Sequence, residues 1–433
     1  MLDDLKTLRL GDTGPQVSLL QLGLSRRGEL LTPDGIFGNN TYAAVLSFQS
    51  QTGLKQDGIA GPRTWEGLMP WLTGYLTHVI RRGDTIYRLA QRYDTTISLL
   101  ETANPGLNPY TLPIGRTLVI PLDFPVVPDS VPYTSTVLAL CEEGLRMRFP
   151  FLTAGTIGDS VMGKPLWYLR IGTGPRQVLF NAAHHANEWI TGPVVLRFLE
   201  RYAGARAAGG AIAGIPAASL YEATSLFVVP LVNPDGVDLV TGELDRGPYY
   251  TAARRLGENY PGIPFPAGWK ANIEGIDPNL QYPAGWDEAR RIKAAQGYTR
   301  PGPRDYVGTA PLEAPESRAL YRFSLHQDFR LTLSYHTQGR VIYWRYLDYE
   351  PENADTIAEA FGKVSGYTVS DTPYASGFAG YKDWFIQNYN RPGYTIEAGL
   401  GTAPLPLSQF DEIYGNNEGI MAGALAAVRD GLA

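Results

Sequence analysis

The stretch Val178–Trp189, with the sequence VLFNAAHHANEW, contains an apolar run followed closely by two histidines and a glutamate. The apolar run predicts a buried strand. His185 and Glu188 then stand three residues apart on the turn that leaves this strand. A catalytic zinc ion takes nitrogen and oxygen ligands from three protein side chains and keeps a fourth position open for water. The stretch therefore predicts two of the three ligands of such a site.

Polar residues follow other predicted strands in the same way. They are Asn233 after 224–231, His336 after 331–335 and Glu397 at the end of 393–397. Ligands of open α/β sheets bind at the carboxyl edge of the strands. Strand-like runs alternate here with helical stretches, which predicts an α/β domain with a mixed, mostly parallel sheet and helices on both faces.

The chain has five histidines, and two of them, His185 and His336, are the expected nitrogen ligands. His184 leaves an alternative open, because it stands four residues before Glu188 and the two could share one helical turn. His78 belongs to the N-terminal part of the chain. His326 lies in a helical run, where a surface or packing role is expected.

Residues 1–72 contain a degenerate internal repeat. Asp34–Gly38 and Asp57–Gly61 both begin with Asp-Gly-Ile, and each is followed by a threonine, Thr41 or Thr64, that is expected to cap a helix. The section resembles the bacterial peptidoglycan-binding domain of three short helices. This resemblance implies a small helical domain that binds peptidoglycan, and it rests on Leu8–Asp12, Leu20-Gln21, Asp34–Gly38, Phe48-Gln49 and Asp57-Gly58.

Residues 73–122 are predicted to form a strand, two short helices and a second strand. The runs Val79–Ile86 and Leu112–Pro121 make this section resemble a LysM domain, which implies binding to glycans that contain N-acetylglucosamine. Residues 123–131 hold two prolines and no periodicity, so a semi-rigid linker is predicted. Residues 132–433 are then the catalytic domain.

The catalytic domain resembles zinc carboxypeptidases of the M14 type. His185–Glu188 matches the family's His-x-x-Glu element, and Ser334–His336 matches its third-ligand element. Tyr394–Glu397 matches the segment that ends in the catalytic glutamate. The resemblance implies the zinc carboxypeptidase fold and one Zn²⁺ ion per chain, bound by His185, Glu188 and His336.

The resemblance also implies roles around the metal. Glu397 would act as the general base. Asp277 would orient a ligand histidine. Lys270 falls where the family has an oxyanion-stabilising arginine, and a lysine supplies a point charge without the arginine fork.

The substrate-binding residues depart from the carboxypeptidases. Those enzymes place Asn-Arg after the aspartate to bind a terminal carboxylate, whereas this chain has Asn279-Leu280. The run Asn279–Trp286 looks like that of the γ-D-glutamyl–diaminopimelate endopeptidase subgroup, which cuts between D-Glu and meso-diaminopimelate in peptidoglycan stems. Asn279 is expected to contact substrate. Arg391 is the candidate cation for the D-Glu α-carboxylate, with Arg340 and Arg345 as alternatives.

These features together predict a zinc peptidase that hydrolyses the γ-D-glutamyl–meso-diaminopimelate bond and is targeted to the cell wall by two binding modules. Two alternatives stay open. One is a zinc carboxypeptidase that trims stem peptides, and the other is a catalytically silent wall-binding protein. Sporulation is one process that the predicted activity would serve.

The resemblances imply peptidoglycan as the partner, and composition argues against nucleic acid and membrane. The net charge of −6 and the lack of Lys/Arg clusters argue against nucleic acid. No apolar run reaches the roughly 18 residues of a membrane span. The N-terminus lacks an apolar h-region, so no signal peptide is expected, and spore integument, cytoplasm or release without a classical signal stay open. With one cysteine, Cys141, no intramolecular disulfide is expected.

Overall fold

The computed structural model describes residues 5–433 and separates them into two compact units. The first unit comprises the described chain up to Pro132 together with Thr136–Thr153, and the second comprises Tyr133–Ser135 and Ala154–Ala433. The sequence predicts no signal peptide at the N-terminus. Residues 1–4, which begin that segment, lie outside the described residues. No helix within residues 5–433 is long and apolar enough to span a membrane.

The first unit consists of two small folds and one further helix. Three helices form the first fold, namely α1 (Pro15–Arg27), α2 (Asn39–Thr52) and α3 (Pro62–Thr73). The second fold consists of β1 (Tyr75–Val79), α4 (Ile86–Arg92), α5 (Ile97–Ala103) and β2 (Thr117–Pro121), and helix α6 (Ser135–Arg148) follows. Strands β1 and β2 pair antiparallel. The predicted order of strand, two helices and strand is confirmed.

The internal repeat in the first fold is built around two buried glutamines. Gln21 Nε2 donates to Asp34 Oδ1 at 2.7 Å and to Thr41 Oγ1 at 3.0 Å. It also donates to Ile36 O at 3.1 Å, and Gln21 Oε1 accepts from Gly35 N at 2.9 Å. One amide side chain therefore holds the whole Asp-Gly turn in place.

The second half of the repeat has the same hydrogen bonds around Gln49. Its Nε2 donates to Asp57 Oδ1 at 3.0 Å, to Ile59 O at 3.1 Å and to Thr64 Oγ1 at 3.3 Å. Its Oε1 accepts from Gly58 N at 3.0 Å. Gly58 has φ of +69°, a value that favours glycine, so the Asp-Gly pair is required by the turn itself.

The two threonines of the repeat do not cap helices as expected. Gly38 and Gly61 occupy the N-cap positions of α2 and α3, and neither helix has a side-chain cap. Thr41 and Thr64 are the third residues of their helices, where they are buried and accept hydrogen bonds from the glutamines. Each threonine therefore bonds to a glutamine that is distant in sequence instead of capping its own helix.

The segment predicted as a linker, residues 123–131, packs into the first unit. Val126 and Val127 are fully buried. The guanidinium of Arg148 on α6 is also buried, and it donates to the carbonyl oxygens of Phe124, Leu122 and Gly74 at 2.8, 2.5 and 3.3 Å. Most of α6, which the sequence places in the catalytic domain, therefore belongs to the first unit.

The second unit contains ten strands and nine helices within its described residues. The elements in chain order are β3 (Thr153–Asp159), β4 (Pro165–Ile171), β5 (Arg176–Ala182), α7 (Thr191–Ala207), β6 (Ala211–Ile212), β7 (Ile215–Pro216), α8 (Ala217–Ala223), β8 (Thr224–Val229), α9 (Pro234–Thr241), α10 (Pro248–Gly257), α11 (Trp286–Ala295), α12 (Pro315–Leu325), β9 (Phe329–His336), β10 (Val341–Tyr343), α13 (Ala354–Ser365), β11 (Thr368–Ser370), α14 (Tyr381–Tyr389), β12 (Gly393–Glu397) and α15 (Phe410–Arg429).

Eight of these strands form one sheet in the order β11-β10-β12-β9-β5-β8-β4-β3. The central strands β12, β9, β5 and β8 run parallel. Strand β10 pairs antiparallel with β12, and β4 pairs antiparallel with β8. The predicted mixed sheet with a parallel centre is confirmed.

Helices cover both faces of this sheet. The ring of Phe180 on β5 lies 5.9 Å from the ring of Phe198 on α7. The neighbouring Leu179 belongs to a core cluster with Trp384 and Phe385 of α14. Because adjacent residues of a strand point to opposite faces, α7 and α14 lie on opposite sides of the sheet.

Candidate active site

The register of the central strands brings the predicted site residues to one edge of the sheet. Ala182 at the end of β5 lies opposite Tyr335 on β9. His336 at the end of β9 lies opposite Glu397 at the end of β12. Since all three strands are parallel, the loop that follows β5 emerges at the edge where His336 and Glu397 end their strands.

The loop after β5 is held in shape by the hydroxyl group of Thr191. Ala183 has φ of +53°, which turns the chain out of the strand, and a 3-10 turn spans Ala186–Glu188. Thr191 Oγ1 donates to Glu188 O at 2.7 Å and accepts from Ala183 N at 3.1 Å. One hydroxyl thereby fixes the segment that carries His185 and Glu188.

Three side chains converge at this edge into a compact donor cluster. His185 Nδ1 lies 2.9 Å from Glu188 Oε1, and His336 Nδ1 lies 2.9 Å from Glu188 Oε2. The two Nδ1 atoms are 3.2 Å apart. Within residues 5–433, this is the one group of three or more potential ligands whose atoms all lie close together, within 4.8 Å.

The donor cluster fits a zinc ion. Zn–N bonds of about 2.0–2.1 Å at tetrahedral angles place two ligand nitrogens roughly 3.3 Å apart, and the separation of the two Nδ1 atoms is 3.2 Å. Two imidazoles and one carboxylate also form the donor set of hydrolytic zinc sites that keep a position for water.

The charges of the cluster depend on one another. Burial disfavours the charged form of Glu188, but His185 and Lys270 outweigh it and hold the pKa of Glu188 well below its usual range. Burial also opposes a charge on His185, but Glu188 and Asp277 raise its pKa to about 9. Burial lowers the pKa of His336. The cluster therefore holds an ionised carboxylate, a protonated His185 and a neutral His336, and a metal ion would have to displace the Nδ1 proton of His185.

Asp277 lies behind His185, on the side away from the other ligands. Its Oδ1 lies 3.2 Å from His185 Nε2, and its Oδ2 accepts from Asp305 N at 3.2 Å. Burial raises the pKa of this carboxyl, but His185, Lys270 and Lys293 together lower it by more, and the net shift is downward. An ionised Asp277 would hold the Nε2 proton of His185 and leave Nδ1 for the metal.

His184 is not a member of the donor cluster. Its side chain is fully buried, and its Nε2 lies 3.0 Å from Tyr282 Oη. Burial lowers its pKa well below the usual value, so the ring is neutral. The structure favours His185 over His184 as the partner of Glu188.

Asn233, which follows β8, joins two loops of the site. Its Nδ2 donates to His184 O at 3.1 Å and to Ala271 O at 2.9 Å, and its Oδ1 accepts from Gly236 N at 3.1 Å. The histidine loop and the loop of Lys270 are thereby bound to the same buried side chain. Asn233 acts on the geometry of the site and makes no contact with the donor atoms.

Lys270 lies against the carboxylate of Glu188. Its Nζ donates to Glu188 Oε1 at 3.0 Å. Burial opposes its charge, but the carboxylates of Glu188 and Glu397 together outweigh burial, and the pKa of Lys270 is raised. A permanent positive charge therefore faces the cavity beside the donor cluster, which is the position that an oxyanion stabiliser needs.

Glu397 lines the same cavity from the end of β12. Burial and the nearby carboxylate of Glu188 raise its pKa to about 8, against the opposing charges of Lys270 and His185. A divalent cation in the donor cluster would favour the ionised form and lower this pKa again. The net charge of the donor cluster therefore controls the pKa of the Glu397 carboxylate.

The structure brings Asn279 to the site and leaves Arg391 away from it. Asn279 Nδ2 lies 3.3 Å from His336 Nε2. Arg391 Nη1 donates to Asp328 Oδ1 and to Phe329 O, both at 2.7 Å. Phe329 begins β9 and His336 ends it, so Arg391 lies at the opposite edge of the sheet.

The two alternative arginines also have partners outside the donor cluster. Arg340 Nη2 donates to Glu412 Oε1. Arg345 Nη2 donates to Glu350 Oε1 at 3.4 Å. Neither side chain lines the cavity that contains His185 and Glu397.

The cavity of about 190 Å³ at the donor cluster holds charged residues that the sequence did not single out as a site. Among the described residues they include Arg304, Asp305, Lys293, Lys382 and Asp383. In the sequence, Lys382 and Asp383 are visible only as a pair of opposite charges inside the otherwise apolar start of α14. That signal is common on helix surfaces, and only the fold shows that this pair is buried.

Comparison with known families agrees with this geometry. Residues 141–417 match the Peptidase M14 family of zinc carboxypeptidases. Residues 13–68 match a peptidoglycan binding domain, and residues 78–121 match the LysM domain.

Individual relatives and solved structures give the same result. The chain is 39% identical to γ-D-glutamyl-L-diamino acid endopeptidase 1 of Lysinibacillus sphaericus, over 80% of this chain and 99% of that protein. It is 40% identical to the uncharacterized protein YqgT of Bacillus subtilis, over 64% of this chain and 73% of that protein. The fold resembles that of bovine thrombin-activatable fibrinolysis inhibitor, solved in complex with tick carboxypeptidase inhibitor, with a TM-score of 0.53 at 17% identity over 69% of this chain and 98% of the other. The chain therefore belongs to the peptidase M14 family of zinc carboxypeptidases and is a metallopeptidase with peptidoglycan-binding and LysM domains.

Proposed function

We propose that this metallopeptidase hydrolyses the γ-D-glutamyl–meso-diaminopimelate bond of peptidoglycan stem peptides. The observation that carries the proposal is Leu280, which lines the cavity where the carboxypeptidases have the arginine for a terminal carboxylate. The cavity nevertheless keeps the donor cluster and Glu397. The name of the Lysinibacillus sphaericus relative, which the chain matches over 99% of its length, supports the same bond.

His185, Glu188 and His336 would hold the zinc ion. A bound zinc ion supplies a water of lowered pKa and polarises the carbonyl group. Glu397 takes a proton from the attacking water and delivers it to the amine of the leaving diamino acid. Lys270 stabilises the negative charge that develops on the carbonyl oxygen.

The substrate of this reaction carries a free α-carboxylate next to the scissile bond, because D-Glu is linked through its side chain. Arg304 is the most exposed cation that the structure places in the cavity, with its side chain 39% exposed. Its Nε donates to Asp305 Oδ2 at 2.5 Å, which leaves the two terminal nitrogens of the fork to face a ligand. Arg304 replaces Arg391 as the candidate for this carboxylate.

The peptidoglycan-binding and LysM domains would raise the concentration of the enzyme at its substrate. Linking a binding module to an active site makes the second encounter intramolecular. Association with the cell wall follows from the same two domains. Their share in the reaction is a matter of local concentration, since the donor cluster and Glu397 all belong to the second unit.

The proposal is tested by mass spectrometry of the stem L-Ala-γ-D-Glu-meso-diaminopimelate-D-Ala after incubation with the full-length protein, with zinc or with a chelator. We expect L-Ala-D-Glu to appear only in the zinc sample. Release of D-Ala alone would establish a carboxypeptidase instead. An unchanged stem in both samples would overturn the proposal in favour of a wall-binding protein.

A further inference from the structure

Two adjacent side chains of opposite charge, Lys382 and Asp383, line the same cavity as the donor cluster. Their side chains are 4% and 3% exposed, and Lys382 Nζ lies 2.6 Å from Asp383 Oδ1. Removing two charges from water is costly, so an ion pair this deeply buried requires a reason beyond stability. The catalytic roles assigned above use neither residue.

The pair is held at a fixed place relative to the donor cluster. Asp383 Oδ2 accepts from Gly380 N at 3.1 Å at the start of α14. Tyr381 N donates to Asn279 Oδ1 at 3.1 Å, and Asn279 Nδ2 lies 3.3 Å from His336 Nε2. One amide side chain therefore connects the start of α14 to a predicted zinc ligand.

Both charged groups keep capacity for a ligand. Lys382 Nζ contacts Asp383 Oδ1 and donates to Arg345 O at 2.7 Å, while an ammonium group has three hydrogens to donate. Asp383 Oδ1 is buried and, within the described residues, accepts no hydrogen bond of acceptable geometry, although Lys382 Nζ lies close to it. A buried carboxylate oxygen in this state favours a further donor.

We propose that Lys382 and Asp383 bind the amino acid group at the far end of the leaving diamino acid, which rests on the proposed function. Lys382 receives the distal carboxylate of meso-diaminopimelate and Asp383 receives its distal ammonium. Leu280, on the same cavity wall, contacts the methylene chain between the two ends. A pair of opposite charges beside an apolar side chain is complementary to this group, whose two charges sit on one carbon at the end of an apolar stem.

The pairing has a consequence for specificity. A diamino acid with an ammonium but no distal carboxylate, such as L-lysine, satisfies Asp383 and leaves Lys382 without a partner. An acid with the carboxylate but no distal ammonium, such as L-2-aminopimelate, does the reverse. A site that is built for polar groups discriminates strongly against ligands that lack them, because its own groups are left unpaired.

The test compares three tripeptides, L-Ala-γ-D-Glu-X, in which X is meso-diaminopimelate, L-lysine or L-2-aminopimelate. The zinc-loaded, full-length protein is assayed for kcat/KM on each peptide, alongside Lys382→Met and Asp383→Asn. We expect the wild type to prefer meso-diaminopimelate over both analogues on the order of 10²-fold. Lys382→Met should erase the preference over L-lysine, and Asp383→Asn should erase the preference over L-2-aminopimelate.

Ratios between peptides within one variant do not depend on how much of that variant is folded. Equal losses on all three peptides, with the wild-type ratios kept, would overturn the proposal and leave the pair with a structural role. If one variant shows no turnover on any peptide, calorimetry compares its affinity for free meso-diaminopimelate with that for the matching analogue, L-lysine for Lys382→Met and L-2-aminopimelate for Asp383→Asn. Failure of the wild type to cleave any of the peptides would instead refute the proposed function.

Discussion

Two buried polar clusters in this molecule differ in the partners that their polar atoms have. Around Gln49, amide donors and carbonyl or carboxylate acceptors match, so the cluster is complete with protein atoms alone. Around Glu188, two imidazole nitrogens face each other 3.2 Å apart with one carboxylate between them. Lys270 Nζ and Thr337 N donate to this carboxylate, but the three converging side chains also form a ligand set for a cation. The first cluster therefore serves the fold, and the second serves a ligand.

The largest effect is expected from replacing Glu397, the proposed proton acceptor beside the Glu188 cluster. Glu397→Gln removes the proton acceptor but keeps the shape of the side chain, so kcat on the stem tripeptide should fall on the order of 10³-fold. Zinc content, measured by atomic emission, should stay at the wild-type level because Glu397 is not one of the donor group. Glu359→Gln, an exposed change on α13, is the matched control. Retained turnover in Glu397→Gln would refute its role as general base.

The next effect concerns the stability of the second unit. A ligand that binds only the native state stabilises it by about 4 kcal/mol when its free concentration is about a thousand times the Kd. Zinc added to chelator-treated protein should therefore raise the melting temperature of the wild type. His336→Ala should show no such rise, because one of three ligands is lost. An equal rise in both proteins would place the bound zinc outside this cluster.

A third effect tests a buried carboxylate whose partners carry no charge. Glu316 accepts from Asn272 Nδ2 and Val161 N, both at 3.1 Å, and burial raises its pKa to about 7. The native state then keeps a proton that the unfolded state releases near its ordinary pKa. The free energy of unfolding should fall by roughly 3 kcal/mol as pH rises from about 4.5 to 7, and should level off above that.

Glu316→Gln cannot ionise and should flatten this part of the pH profile. The measurement is the urea midpoint of tryptophan fluorescence across that pH range. Glu352→Gln, an exposed carboxylate, is the control. An unchanged slope in Glu316→Gln would show that other groups produce the pH dependence.

The smallest effect is expected from breaking the complete cluster. Gln49→Ala leaves Gly58 N and Asp57 without their buried partner and should destabilise the first unit by about 2 kcal/mol. Turnover of the soluble tripeptide should stay within about twofold of the wild type, since a structural change away from the site leaves kcat/KM intact. Gln51→Ala, an exposed change on the same helix, should be neutral for both. A collapse of tripeptide turnover in Gln49→Ala would show that the two clusters are coupled.

Much of the site could be predicted because strand ends are visible in the sequence. His185, His336 and Glu397 each stand at or just past an apolar run, and parallel strands bring such ends to one edge. The same argument places Arg391 away from this edge of the sheet. It stands six residues before Glu397, and at about 3.3 Å per residue a strand carries it roughly 20 Å away.

Other features depend on contacts that no local pattern contains. Lys382 and Asp383 reach the cavity because Asn279 hydrogen-bonds the start of α14, a contact across 102 residues of sequence. The placement of α6 depends on Arg148 and three carbonyl oxygens that are distant in sequence. Thr41 and Thr64 looked like helix caps because the local rule does not include a glutamine from a different helix.

Arg148 has a consequence for how the first unit is held together. Its guanidinium binds the carbonyl of Gly74, where the peptidoglycan-binding fold meets the LysM fold, together with the carbonyls of Leu122 and Phe124. These three carbonyls lie at one end of the LysM fold, because Tyr75 pairs with Pro121. One guanidinium therefore ties the beginning and the end of the LysM fold to helix α6. Replacing Arg148 would leave three carbonyl oxygens without this donor and would loosen the attachment of α6 to the LysM fold.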